Sequence, residues 1–336
     1  MQQESSQPEI VDKFVDVAGA RMHYLHAGSG PPILLIHGLV GCSQNWRDNI
    51  SALAGSASVY ALDLLNMGKS QRVDGLDVRL KAIANRLVAT MDALGLAAAD
   101  IVAHSHGGAV ALMLAALHPE RVRRLILFAP ANPYSRSRDC MVRLYASWWG
   151  GIALRALPYL PAWIQRIAFG KRDGAPDRAI DRCLKEYSEV LRDSGSVHHV
   201  LSILRCWFAE QARLRRALCR VARIPTLLVW GAGDCTMSLS SGNRLHRRLR
   251  ASELIVVPDR GHSVFEEAPE EANRIMLDWL GRHPLPARLP TPLPAAAAAS
   301  TPRRRNRARA AHAASASISV AQAGAAPAVA KSAPET

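Results

Sequence analysis

The sequence predicts an α/β fold: a mostly parallel central sheet with helices on both faces and an inserted helical cap. Three features predict it. Short aliphatic runs recur along the chain, an amphipathic helical pattern lies between two of them, and one long segment rich in arginine and tryptophan interrupts the alternation. Strands and helices in alternation pack as a parallel sheet joined by right-handed crossovers. With 336 residues and 49% apolar side chains, the chain is long enough to bury a core of that kind.

The aliphatic runs cover residues 33–37, 59–63, 100–104, 125–130, 226–231 and 254–258. They are near-continuously apolar rather than alternating, as expected of strands buried on both faces. Between the second and third runs, Leu80, Ile83, Leu87, Met91 and Leu94 recur at steps of three and four. That spacing puts one apolar stripe on a helix, and Gly95 closes it. The third run leads into a helix of small residues containing Ala109, Ala111, Ala115 and Ala116. Residues 134–220 hold Trp148, Trp149, Trp163 and Trp207 and no strand run, which predicts a helical cap. Its place would be over the C-terminal edge of the sheet, where open α/β sheets hold ligands.

The expected division is a core in two parts, 1–133 and 221–283, with the cap at 134–220 and a tail at 284–336. The tail has 8 prolines, 19 alanines and no aromatic residue in 53 positions, so it is expected to be disordered.

The formal net charge of +14 is unevenly placed. Residues 1–133 hold 11 basic and 11 acidic side chains, and residues 221–283 hold 8 and 8, whereas the cap holds 16 and 8 and the tail 7 and 1. A nucleic-acid-binding domain concentrates its basic surplus on the folded framework. Here the framework is neutral, so no specific nucleic-acid partner is expected. No run of about 18 apolar residues is free of charges or turn residues, which argues against a membrane span. The polar, acidic N-terminus lacks the basic and apolar regions of a secretion signal, and the expected location is cytoplasmic. Six scattered cysteines show neither disulfide-framework nor metal-ligand spacing and read as reduced thiols.

The chemistry centres on Ala103-His104-Ser105-His106-Gly107-Gly108, placed between a strand run and a helix. A strand-to-helix turn this tight strains its apical residue and lifts that side chain above the sheet. Small residues are needed two before and two after the apex, and Ala103 and Gly107 supply them. Over residues 14–283 the chain resembles the α/β-hydrolase family, in its serine-nucleophile branch with a helical lid. Its one departure from the G-x-S-x-G elbow is Ala103 in place of the first glycine.

The resemblance implies the chain order serine, acid, histidine. Ser105 is then the nucleophile. Asp234, in Trp230-Gly231-Ala232-Gly233-Asp234, is the acid, and His262, in Asp259-Arg260-Gly261-His262-Ser263, is the base. An acid after Phe128 is the weaker choice, since that stretch offers Asn132 and only later Asp139. The oxyanion donors implied are the backbone N–H groups of Leu39 and His106, with Gly38 letting the His37-Gly38-Leu39 loop turn inward. His37, Gly38, Trp148 and Trp149 are expected to contact substrate, His104 to pack within its strand, and His106 to line the pocket. Gly68-Lys69-Ser70 is not a phosphate loop, because position 63 holds Asp where that motif needs glycine.

The activity this implies is cleavage of a carboxylic ester, thioester or lactone through an acyl-enzyme, with no metal or organic cofactor. The expected partner is an apolar acyl substrate, and the basic cap would also suit an acidic carrier protein. The alternatives are acyl transfer by the same triad, carbon–carbon bond hydrolysis, and a ligand-binding receptor without turnover. A serine at the elbow argues against dehalogenase and epoxide-hydrolase relatives, which use aspartate there. Carbon–carbon bond hydrolases often carry a tryptophan after the histidine, where this chain has Ser263.

Overall fold

A computed structural model describes residues 8–135, 139–169 and 177–285. The reading of residues 284–336 as a disordered tail lies almost wholly outside them. In chain order the elements are β1 (Val11–Val17), β2 (Ala20–Ala27), β3 (Pro32–Ile36), a 3₁₀ turn at Ser43–Trp46, α1 (Arg47–Ala54), β4 (Ser58–Leu62), α2 (Leu80–Ala93), β5 (Ala99–His104), α3 (Ser105–Leu117) and β6 (Val122–Phe128). A helical stretch follows: α4 (Asp139–Ala146), α5 (Trp148–Ala156), a 3₁₀ turn at Leu157–Tyr159, α6 (Ala162–Phe169), α7 (Asp177–Arg192) and α8 (Ser194–Ala217). The chain then returns through β7 (Thr226–Gly231), α9 (Leu239–Arg248), β8 (Ser252–Val257), α10 (Val264–Glu267) and α11 (Pro269–Arg282).

The strands form one eight-stranded sheet in the order β1-β2-β4-β3-β5-β6-β7-β8. β1 and β2 pair antiparallel, as do β2 and β4, and every other pair is parallel. Because side chains alternate across a strand, the continuous apolar runs feed two cores at once. Leu34, Ile36, Ile101, Ala103, Leu125 and Leu228 meet α2 and α3 on one face. Leu35, Val102, Ile126, Phe128, Leu227 and Val229 meet Trp46, Met276 and Trp279 on the other. All six expected strands are present, and the expected helix is α2, with Gly95 at φ +71° just beyond its end.

The antiparallel pair β1–β2 escaped the sequence reading. Its members are not continuously apolar: β1 lies at the sheet edge with Phe14 42% exposed, and β2 carries the buried His23. His23 is held by Asp63, whose carboxylate accepts from His23 Nδ1 at 2.8 Å and from the N–H groups of Ser43 (2.5 Å) and Lys69 (2.7 Å). The loop after β4 is thus structural, as its sequence implied. No helix among the described residues is long and apolar enough to cross a membrane.

An ion cluster closes the opposite end of the sheet. Buried Asp100 accepts from Arg124 Nε at 3.0 Å and from Arg123 Nη2 at 3.1 Å, while Arg124 also donates to the carbonyls of Leu280 and His283 at the end of α11. Removing one member of a buried ion cluster leaves uncompensated charge. Asp100→Ala is therefore expected to destabilise the protein by about 3–5 kcal/mol. Urea unfolding measures it, and a loss under about 1 kcal/mol would contradict this account.

Candidate active site

Ser105 is the first residue of α3, directly after β5, and its φ is +50°. An L-residue other than glycine, asparagine or aspartate rarely adopts that conformation, and such strain persists only where the surroundings enforce it. They do so through contact. A Cβ on Gly107 would lie 2.3 Å from the His37 carbonyl oxygen, so the first turn of α3 presses against the end of β3. A Cβ on Gly38 would lie 2.9 Å from His104 Nδ1 and 3.4 Å from Ser105 Cβ. These two glycines let the loop after β3 lie against the serine. Ala103, where glycine is usual, is fully buried and is accommodated.

Asp234 and His262 come together because the end of β7 lies against the loop that follows β8. A Cβ on Gly231 would lie 2.1 Å from the Gly261 carbonyl oxygen, and Gly233 N–H donates to the Arg260 carbonyl at 2.9 Å. His262 Nδ1 then donates to Asp234 Oδ2 at 2.8 Å. The Asp234 side chain is fully buried, and its Oδ1 accepts from the N–H groups of Thr236 (2.8 Å) and Met237 (2.9 Å). With Nδ1 committed to the carboxylate, Nε2 of the neutral ring is left as a proton acceptor.

Two residues that the sequence reading did not place in the site hold His262 from behind. Glu267 accepts from Gly261 N–H at 2.5 Å and from Ser263 N–H at 3.0 Å, bracketing the histidine along the chain. His104 Nε2 donates to the His262 carbonyl oxygen at 3.2 Å, and the two rings are 4.6 Å apart. No sequence signal distinguishes Glu267 from the other acids of its helix.

Ser105 and His262 line one cavity of about 240 Å³. Its floor includes Gly38, Leu39 and His104, and its roof comes from the helical stretch between β6 and β7, through Val142, Tyr145, Leu154, Leu157 and Trp207. The roof is tied to the core at Asn45 and Arg47. Glu186 of α7 accepts from Asn45 Nδ2 at 2.7 Å and pairs with Arg47.

Several expectations need correction. Trp148 and Trp149 do not contact the cavity; each is 70% exposed on the outer side of α5, and of the four tryptophans expected in the cap only Trp207 lines the cavity. His104 lines the cavity as well as belonging to its strand. His37 and His106 instead line a separate chamber of about 20 Å³ behind the Gly38-Leu39 loop, together with His199 and Arg86. His37 is locked there: its Nδ1 donates to the Gly38 carbonyl at 2.7 Å and its Nε2 accepts from Leu64 N–H at 3.1 Å. Asn132, in the alternative acid position, bonds Pro130 and Ser241 and carries no charge.

Burial drives the chamber histidines toward the neutral form, His106 down to about 3 and His199 down to about 4. Below pH 6.5 the unfolded chain takes up protons that the folded chain refuses. Stability therefore falls as pH falls from about 6.5 toward 4, by up to about 1.4 kcal/mol per pH unit for each histidine. His199→Gln is expected to remove one histidine's share of that slope. Urea midpoints at pH 7, 6 and 5 measure it, and an unchanged slope would mean that His199 is already protonated in the fold. Among the described residues, no group of three or more His, Cys, Asp or Glu side chains could hold a metal ion.

Comparison with known proteins fits this geometry. A family model described as the alpha/beta hydrolase fold matches residues 31–269. The chain is 31% identical over 275 residues to the dihydrolipoyllysine-residue acetyltransferase component of the acetoin cleaving system of Pseudomonas putida, covering 80% of this chain and 69% of that protein. It is 26% identical over 299 residues to the 2-hydroxy-6-oxo-6-(2'-aminophenyl)hexa-2,4-dienoic acid hydrolase of Metapseudomonas resinovorans, covering 83% of this chain and 94% of that one. Among solved structures, the 2-hydroxy-6-oxo-6-phenylhexa-2,4-dienoate hydrolase of Rhodococcus sp. strain RHA1 matches with a TM-score of 0.68 at 22% identity, covering 82% of this chain and 99% of that one. At that identity the likeness shows the fold alone.

Proposed function

The chain belongs to the α/β-hydrolase fold family, and on that premise we propose that it is a serine hydrolase cleaving a carboxylic ester, thioester or lactone. The observation that carries the reading is the strained Ser105 lining the same cavity as His262, whose ring is oriented by buried Asp234. A serine hydroxyl attacks a carbonyl only when a base takes its proton. His262 Nε2 fills that role, and the imidazolium that results is stabilised by the Asp234 carboxylate, which keeps its own charge. Attack forms the Ser105 Oγ–acyl bond through a tetrahedral intermediate. Its oxyanion is met by the N–H of His106 at the start of α3 and the N–H of Leu39 on the loop that Gly38 bends. His262 then protonates the leaving alcohol or thiol. In the second half it activates water to release the acid and restore Ser105.

The cavity, at about 240 Å³ and walled largely by apolar side chains, lies just under the roughly 300–1,000 Å³ of sites for drug-sized ligands. A short or medium acyl group fits it. A fluorophosphonate probe is expected to label folded protein, with the added mass on the peptide containing Ser105. Failure to label would leave a pocket without a working nucleophile, the property of a receptor. A panel of esters and thioesters of graded chain length then defines the acyl group.

A second reading is favoured by the names of the relatives: a carbon–carbon bond hydrolase would use the same serine on a vinylogous diketone. Turnover of such a substrate with no turnover across the ester panel would select it. Product analysis with an added alcohol or amine separates hydrolysis from acyl transfer, since a transferase releases little free acid.

A further inference from the structure

Of the large apolar side chains exposed among the described residues, seven of twelve fall within the 31 positions from Asp139 to Phe169. They include Trp148, Trp149, Ile152, Tyr159 and Trp163, with Tyr159 71% and Trp163 64% exposed. The four aromatic side chains alone leave roughly 500 Å² in solvent. Trp148 and Trp149 pack edge to face with ring centroids 4.6 Å apart, and Ile152 is one turn further along α5.

Helix α5 is apolar all round. Its sequence from Trp148 to Ala156 has one polar side chain, Arg155. A helix of that composition is normally buried on every side. Here Leu154 faces the cavity and Gly150 and Gly151 face the protein, while the tryptophans face out. Among the described residues, nothing covers the outer face.

We propose that this outer face of α4–α6 docks on an anionic lipid bilayer, with Trp148, Trp149, Tyr159 and Trp163 seated in the headgroup layer. Charge selects the occupant. Residues 139–169 contain the exposed Arg143 and Arg155, and Arg166 with its Nε buried, against a single acid, Asp139, and the whole segment 134–220 carries 16 basic and 8 acidic side chains. A second copy would bring the same basic face against it. The tail, with 7 basic residues, 1 acidic and no aromatic residue, is equally mismatched. An anionic bilayer complements both properties: aromatic rings with a polar edge settle at the membrane–water boundary, and arginines near the surface are drawn to the anionic headgroups. Helices α4 and α5 also line the cavity from their inner sides, through Val142, Tyr145 and Leu154, so docking would bring the site to the lipid surface. The inference does not depend on which bond the site cleaves.

Cosedimentation of the full chain with vesicles tests it, comparing phosphatidylcholine alone with an equimolar phosphatidylcholine–phosphatidylglycerol mixture. Binding to the mixed vesicles is expected, weakened by salt and accompanied by a blue shift of tryptophan emission. Trp148→Ser/Trp149→Ser/Trp163→Ser is expected to lower the partition coefficient roughly tenfold or more. Its melting temperature should be unchanged, since the three rings are exposed, and Trp149→Ser alone should give a smaller loss in the same direction. Absence of binding to the mixed vesicles would overturn the proposal. So would binding that survives the triple substitution, which would belong to the arginines of the tail. A dimer in sedimentation that the tryptophan substitutions dissociate would also overturn it, by making the face a contact between copies.

Discussion

Ser105→Ala is expected to remove ester turnover almost completely, by a factor on the order of 10⁶, while leaving the fold intact. The loss is large because, in the proposed reaction, the hydroxyl is the atom that forms the acyl bond. What remains is the background from oriented N–H donors and substrate binding. Stability should barely change, since the side chain faces a cavity and the backbone strain at φ +50° comes from the contacts of Gly38 and Gly107 rather than from the hydroxyl. Hydrolysis of the best ester from the chain-length panel measures activity, and a thermal melt measures folding. Retained turnover in a folded variant would dismiss Ser105 as nucleophile.

The second large effect is expected from the pair behind it. His262→Ala should approach the Ser105→Ala loss, because without the imidazole the hydroxyl keeps its proton. Asp234→Asn should reduce turnover by roughly 10⁴. The N–H groups of Thr236 and Met237 would hold the amide oxygen, so its NH₂ would face Nδ1 and favour the tautomer whose Nε2 carries the proton, which cannot accept one from serine. If the three residues act as one unit, as proposed, Ser105→Ala/His262→Ala should be no slower than either single variant. A normal rate for Asp234→Asn would place the acid elsewhere, although Asn132, the only side chain of interest just after β6, is already an amide.

The candidate site residues whose placement was legible in the sequence are those fixed by local geometry. A serine between a strand and a helix, with small residues two positions away on each side, can only sit at a crowded apex, so Ser105 was visible without coordinates. Asp234 and His262 were visible by their positions just beyond two strand runs. Glu267 and the role of His104 were not, because each acts on the backbone of the His262 loop, and a backbone carbonyl or N–H leaves no mark in a list of side chains. His37 was misjudged for a related reason. Its place beside Gly38 on the chain suggested the cavity, yet Leu64 N–H and the Gly38 carbonyl hold its ring on the other side of the loop.

By itself the sequence determined the parallel sheet, its helices, the place of the helical stretch between β6 and β7, and the serine at the turn from β5 into α3. Continuous apolar runs, a 3.6-residue stripe and the small residues of a tight turn act between near neighbours and need no partner to be read. Only the tertiary structure decided which way the tryptophans of the cap face. A helix apolar all round, such as α5, gives no sequence signal for which side is inner, and that is settled by the residues the rest of the chain brings against it. There the close packing of Gly150 and Gly151 leaves Trp148 and Trp149 outside. The meeting of Asp234 with His262 was likewise a matter of packing: the end of β7 lies against the loop that follows β8 at Gly231, where no side chain would fit between them.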